Sequence, residues 1–241
     1  MSPISIPGKV TLGQSLGADP HYSSVSLLLH GDGADGSTEI LDSSVNPKTV
    51  TAVGDAQIST TESKWNGSSL KFDGSGDYLT IPSSTDFAFG SGSFTIEGWI
   101  RLGSVPASGN VHYLIDTRTS DFNGFALYFS NIAGSARLNI FVSVPSPAEY
   151  SSTTNLVLNQ WTHLACVRNG SSSFTFYVDG VASGSYSVTQ APGNIPLTIG
   201  SRFNGQQFFN GFIDDLRITK GIARYTSNFT PPAQPFLAVA P

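Results

Sequence analysis

Cysteine is nearly missing from this 241-residue chain: Cys166 is the only one, which excludes an intrachain disulfide. Charge is scarce as well, with Asp, Glu, Lys and Arg making up 12% of residues against roughly 25% in ordinary globular proteins. The 12 basic residues are scattered among 17 acidic ones, for a formal net charge of −5. No basic patch is therefore on offer to nucleic acid phosphates or to an anionic membrane. No apolar run approaches the roughly 18 residues that a bilayer-spanning helix needs, so membrane insertion is not expected. The start "MSPISIPGKV" lacks the basic-then-apolar layout of a signal peptide, and the expectation is a protein made in a reducing cytoplasm.

Glutamate is rare too, at Glu39, Glu62, Glu97 and Glu149, and none sits in an E-x-D-x-E strand that would line one face with carboxylates. Glycoside hydrolysis, which needs two carboxyls flanking the scissile bond, has no positive support. A Ser-His-Asp hydrolase has none either: there is no G-x-S-x-G elbow, and His21, His30, His112 and His163 show no suggestive spacing. His163 reads as a hydrogen-bonded strand residue and Cys166 as a small buried apolar group. The expectation is a protein without enzymatic activity.

What is abundant is turn chemistry, with 25 Gly and 14 Pro, beside a hydrophobic fraction of 39% that suffices for one sizeable core. Strand-like runs separated by Gly, Asn, Asp and Ser recur from "VSLLLH" through "SLKF", "DYLTI", "FTIEGWIR", "HYLIDT", "FALYFS", "LNIFVS", "WTHLACVR", "FTFYVDG" and "LTIG" to "FIDDLRIT". Short strands with regular turn signals predict an all-β sandwich or barrel. In "SFTFYVDGVASGSYS", Phe174, Phe176 and Val178 alternate with Thr175 and Tyr177, and Asp179-Gly180 supplies a turn suited to positive φ, so a hairpin is predicted. Only "STDFAF" (84–89) and "KGIARY" (220–225) suit single helical turns. Residues 1–23 carry three prolines and 231–241 carry four. They are expected as an N-terminal arm and a Pro-rich C-terminal tail outside a domain at 24–230.

"GDGADG" at 31–36 matches G-x-G-x-x-G, but Asn46-Pro47 follows where a helix should, and Asp32 and Asp35 would repel a pyrophosphate. An EF-hand is excluded because the twelfth position from Asp32 is Ser43. Asp35, Asp73, Asp77 and Asp179 read as turn caps that accept backbone N–H bonds. Two-residue alternation places Asp214 with Phe212, Leu216 and Ile218 on the more apolar face, and Asp215 with Ile213 and Arg217 on the other. Asp214 therefore needs a partner and is open to two roles, metal ligand or satisfied structural carboxylate. Trp65, Trp99, Trp161, Tyr78, Tyr113, Tyr128 and Phe203 are candidates for a sugar-stacking platform. In the turn-rich "SRFNGQQFFNG", Phe203, Asn204, Gln206, Gln207 and Phe208 combine aromatics and amides suited to a polar ligand or a wet interface.

Taken in order, "VSLLLHGDGADGSTEILDSS", "GSSLKFDGSGDYLTIP", "SFTIEGWIR", "NQWTHLACVRNGSSSFTFYVDG" and "LTIGSRFNGQQFFNGFIDDLRITKGIARYTSNFTPP" resemble the concanavalin A-like, laminin-G-type jelly roll. The resemblance implies two antiparallel sheets packed as a sandwich. It also implies a structural calcium ion, with Asp32, Asp42 and Asp214 at the corresponding positions. The fold is shared by glycan-binding modules, adhesion domains, lectins and a few hydrolases, so it does not by itself settle function. The ending "ARYTSNFTPP" is similar to phage versions, which implies a bacteriophage virion component: tail, fibre or capsid surface. Its expected partners are other virion proteins through the two arms, a homo-oligomer, and host surface glycans. The alternative is a calcium-dependent carbohydrate-binding lectin or adhesion module, and a polysaccharide-active enzyme ranks below both.

Overall fold

The computed structural model describes residues 18–121, 123–142, 147–171, 173–187 and 195–239. In chain order the strands are β1 (Val25–Leu29), β2 (Thr51–Val53), β3 (Gln57–Ser59), β4 (Ser69–Asp73), β5 (Tyr78–Ser84), β6 (Phe94–Leu102), β7 (Val111–Asp116) and β8 (Phe125–Ile132). There follow β9 (Ser135–Val142), β10 (Ala148–Ser151), β11 (Trp161–Asn169), β12 (Ser173–Val178), β13 (Val181–Ser187), β14 (Ile195–Ile199) and β15 (Asn210–Lys220). One sheet runs β13-β12-β11-β6-β15-β4-β3, with β1 also on β15, and the other runs β10-β9-β8-β7-β14-β5-β2. The strand pairs within the two sheets are antiparallel, giving the expected concanavalin A-like sandwich.

Every apolar run read from the sequence becomes a strand. The short strands that the pattern misses, β2, β3 and β10, all end a sheet. An edge strand is half-solvated and needs no run of alternating apolar residues, so it leaves little trace in sequence. The turn at 84–89 is a 3-10 turn over Thr85–Phe87, capped by the Ser84 hydroxyl accepting from the Asp86 N–H. The second suggested turn, 220–225, is not helical, because residues 223–229 are drawn out over the outer face of the first sheet.

Between the sheets lies one core, to which alternate residues contribute: Ile96 and Ile100 from β6, Leu127 and Phe129 from β8, Leu164 and Cys166 from β11, Ile213, Leu216 and Ile218 from β15. Burial pushes the Cys166 thiol up, as expected of an inert core group. The outer face of the first sheet is not left to solvent. Ala165, Val167 and Tyr177 are covered by Ala223, Tyr225 and Phe229, and Val25 and Leu28 by Phe236.

Two residues from the expected arms thus lie inside the fold. Phe236 is buried with its ring 3.7 Å from the Arg217 guanidinium, and Asp19 is buried against Arg217 (3.1 Å) and Arg224 (2.7 Å). The same arginine pairs with buried Glu97 (2.7 Å), which also accepts from the Tyr225 hydroxyl (2.7 Å). Burial alone would raise the Glu97 pKa, but the charge of Arg217, with His163 and Arg224 behind it, holds it at about 2. His163 itself is fully buried in the strand, with its backbone N–H on Asp179 Oδ1 at 2.9 Å. Its imidazole is packed between Trp99 and Phe229, with Nε2 3.5 Å from Glu97.

The predicted hairpin is present, with Asp179 (φ 48°) and Gly180 (φ 76°) at its turn. A side chain on Gly180 would collide with the Phe229 carbonyl, which accepts no such approach because the Phe229 N–H is bonded back to Gly180 O at 2.9 Å. Gly134 also has positive φ (84°) but faces open space. Gly134→Ala should therefore cost only the left-handed backbone term of about 1–2 kcal/mol. Gly180→Ala should cost on the order of 3 kcal/mol because it also lifts the C-terminal segment. Urea denaturation of the two variants, and proteolysis after residue 220, check the difference.

Candidate functional site

The carboxylates of "FNGFIDDLRI" occupy a bulge. β15 pairs Asp214 with Trp99 and Arg217 with Glu97 of β6, so two residues of β15 oppose the single Gly98. Asp215 takes the left-handed conformation, φ 53°. The alternation that put the two aspartates on opposite faces is broken here: Ile213 and Leu216 both enter the core, and neither carboxylate does. The bulge sits where the β15 edge changes partner, from β4 at Asn210–Ile213 to β1 at Leu216–Thr219. Both side chains are 1% exposed and take over the bonding that the ladder leaves off. Asp214 Oδ2 accepts the N–H groups of Lys64 (2.7 Å) and Trp65 (3.0 Å). Asp215 Oδ1 contacts His30 Nδ1, and its Oδ2 accepts the Phe236 N–H at 2.7 Å.

The expected calcium set does not fit this arrangement. Asp42 is saturated, its carboxylate accepting from Leu28 N (3.0 Å), Ser44 N (2.9 Å), Ser44 Oγ (2.9 Å) and Lys48 N (2.8 Å). Asp32 accepts from the Asn66 amide at 3.0 Å on the surface. Among the described residues no group of three or more His, Cys, Asp or Glu side chains converges as a cation requires. Asp35, Asp73, Asp77 and Asp179 do accept backbone N–H bonds, from Thr60, Ser75, Asp55 and His163 respectively.

A different site lies on the outer face of the seven-stranded sheet. There Tyr113 and Tyr128, with ring centroids 5.5 Å apart, form a floor with Ala126 and Phe141. Asn139 of β9, Glu149 of β10, Arg202 and Gln207 wall a hollow of about 460 Å³ above them. A second hollow of about 300 Å³, with His112 and Phe208, borders the first at Val111 and Gln207, giving a groove of two adjoining hollows. Phe208 stacks on Tyr78 at 6.3 Å with an interplanar angle of 27°.

The groove is held by a buried ion pair. Arg118 donates to both oxygens of Asp116 (2.9 and 2.7 Å) and to the Tyr113 hydroxyl (3.0 Å), with its guanidinium 4.8 Å from Phe141 and 5.5 Å from Phe203. Asp116 Oδ2 also accepts the Phe203 N–H at 3.1 Å, which ties the 201–208 loop to the sheet. Arg202 pairs with Asp121. The Tyr128 hydroxyl is raised in pKa by burial and then by Glu149, so it is a neutral donor and not a nucleophile. Glu149 and Arg202 are the two charged side chains that line the first hollow.

Of the residues singled out in "SRFNGQQFFNG", Gln207 and Phe208 line the groove and Phe203 lies beside the two arginines at its rim. Asn204 and Gln206 are exposed at the loop tip, bonded to each other at 3.3 Å. Trp65 and Trp99 stack edge to face on the opposite sheet, away from the groove. Asn139 and Glu149 carried no sequence signal, since each is a lone polar residue on a separate strand.

The family model described as "Concanavalin A-like lectin/glucanases superfamily" matches residues 73–223. The chain belongs to this superfamily. Among curated proteins no match is found. Superfamily sandwiches of similar shape include the binding domain of Paraclostridial Mosquitocidal Protein 1, with TM-score 0.64 and 17% identity over 83% of this chain and 50% of that one. Botulinum neurotoxin type C, which depends upon interaction with two ganglioside molecules to get into cells, has TM-score 0.62 and 16% identity over 84% and 49%. The binding domain of botulinum neurotoxin DC, solved in complex with rat synaptotagmin II, has TM-score 0.61 and 16% identity over 84% and 49%. At such identities the likeness is one of fold, and the chain spans about half the length of these solved structures.

Within this superfamily fold the bulge makes a pH prediction. Burial, against the two N–H bonds and with help from Asp215 and Asp32, raises Asp214 to about 7, and its Oδ1 has no hydrogen-bond partner among the described residues. The folded state thus keeps a proton that the unfolded chain has lost above about pH 4, so stability falls as pH rises from there and the full cost stands above 7. His30 is raised as well: burial would lower it, but the Asp215 bond wins, so its contribution is present below 6.5 and lost above its folded value. Asp214→Asn should be on the order of 3 kcal/mol more stable than wild type at pH 8.5 and equal to it near pH 4. Urea titrations at both pH values check this. Chelating divalent ions should leave the melting temperature unchanged.

Proposed function

We propose that the chain is a non-enzymatic carbohydrate-recognition module whose ligand lies across β7–β10 on the outer face of the seven-stranded sheet. The observation that carries this is the pair of adjoining hollows with a tyrosine floor and polar walls at Asn139, Glu149, Arg202 and Gln207, beside the buried Arg118–Asp116 pair. Flat aromatic faces suit the C–H faces of sugar rings, while amides and a carboxylate suit their hydroxyls. A wall fixed by a doubly bonded, buried guanidinium loses little entropy on binding. Membership of a lectin and glucanase superfamily supports the reading, as does a neighbouring fold that engages gangliosides.

The setting we propose is a bacteriophage virion, on the strength of the sequence ending "ARYTSNFTPP". Virion neighbours and a homo-oligomer belong to that proposal and rest on the sequence alone. In it the module is displayed to host surface glycans.

Phe208→Ala and Glu149→Ala each remove a side chain that lines the groove outside the core between the sheets. Each should weaken binding of the glycan that the wild type selects on an array at least tenfold, with the melting temperature within about 2 °C of wild type. Full binding in both variants would move the site off this face.

A further inference from the structure

Gln207 stands where the two hollows adjoin, and it is held there against its own backbone preference. Its φ of 55° is the left-handed conformation, which a side chain of this length adopts only when its surroundings fix it. The fixing contact is the Tyr113 N–H, which donates to the Gln207 carbonyl at 3.2 Å and pins the residue to β7. Residues strained in this way cluster at ligand sites, where the surrounding structure presents a side chain that relaxation would withdraw.

The hollow on the Phe208 side differs in kind from its neighbour. Arg202 and Glu149 line the first hollow, whereas no Asp, Glu, Lys or Arg lines the second. Its polar side chains are the Asn110 and Gln207 amides and the His112 imidazole, set beside apolar Val111 and Phe208. His112 is neutral near pH 7, because burial lowers its pKa from the ordinary histidine value. Its Nδ1 is buried and has no hydrogen-bond partner among the described residues, so the ring holds bonding capacity that the fold does not use. A neutral imidazole offers one N–H donor and one acceptor nitrogen, and each amide offers an oxygen acceptor and N–H donors.

Such a lining is matched by a small uncharged group that is donor, acceptor and apolar within a few atoms. A sugar hydroxyl has no apolar part, and a protonated amino group needs a carboxylate that this hollow lacks. An acetamido group meets all three demands: an N–H for an acceptor, a carbonyl for an N–H, and a methyl for the face of Phe208, whose ring stacks with Tyr78. Resting on the carbohydrate reading above, we infer that the second hollow is the subsite for the acetamido group of an N-acetylated amino sugar. His112, Asn110 and Gln207 are its specificity-determining residues.

The test is titration calorimetry of the full chain with sugars matched except at carbon 2. One series is cellobiose with its diamino and di-N-acetyl counterparts, and the other is galactose, galactosamine and N-acetylgalactosamine. In at least one series the N-acetylated sugar should bind at least about tenfold more tightly than both counterparts. His112→Ala should bring that ratio close to one. Gln207→Gly should do the same with a melting temperature within about 2 °C of wild type, because glycine takes the left-handed conformation without strain. Loss of the preference in that variant is therefore not loss of the fold. Equal binding within each series, tighter binding of a hydroxyl or amino sugar, or a preference that survives Gln207→Gly or a folded His112→Ala overturns the inference and leaves carbohydrate recognition standing. So does binding of other glycans on the array with none of these sugars bound. Silence of every sugar, in the titrations and on the array, overturns both.

Discussion

The fold turns on a single extra residue in β15. Eleven residues long, this strand borders β6 along one edge and is shared by β4 and β1 along the other, so any irregularity in it is felt by three neighbours. The bulge at Asp214-Asp215 falls where the shared edge changes hands. Backbone groups stranded at that point are satisfied by carboxylates: Lys64 and Trp65 through Asp214, Phe236 through Asp215. A hydrophobic pair at these positions would leave buried N–H groups unmet, at about 1–3 kcal/mol each. That is the physical case for charge in the strand.

From the bulge the two faces of the molecule diverge. On the eight-stranded side, Arg217 follows the bulge and sets up the buried Glu97–Arg217–Asp19–Arg224 network. Tyr225, Phe229 and Phe236 close over it, so this face is shut by the chain's own C-terminal segment. Among the described residues, no C-terminal segment crosses the seven-stranded side in this way. Its outer face keeps Tyr113 and Tyr128 under a loop anchored by Asp116, and the groove stays accessible. One face is thereby closed by the chain itself and the other bears the groove, and the division follows from which sheet the C-terminal segment crosses.

Legibility from sequence tracked burial. Strands with apolar residues on the core face announced themselves, β6 and β11 most clearly, because alternation is what a sandwich interior imposes. The edge strands β2, β3 and β10 did not. Nor did the roles of the paired aspartates: period-two reading assumes an unbroken ladder, and Asp215 in the left-handed conformation breaks it. Of the groove, the loop carrying Gln207 and Phe208 stood out as amides beside aromatics. Glu149 and Asn139 did not, since each became part of a wall only when β8, β9 and β10 were laid side by side.

The sequence by itself determined the class of fold, the turn at Asp179-Gly180, the lack of disulfide and transmembrane helix, and the poverty in paired acids. These depend on local pattern and composition, which survive without knowledge of neighbours. Tertiary structure alone decided that the Asp42 carboxylate is saturated by hydrogen bonds from Leu28, Ser44 and Lys48, and that neither Asp214 nor Asp215 enters the core. It also decided which arginines are buried in ion pairs, Arg118 with Asp116 and Arg217 with Glu97. Register and bulges bring residues together across more than a hundred positions of chain, as with Glu97 and Arg217, and no period in the sequence encodes a contact of that kind.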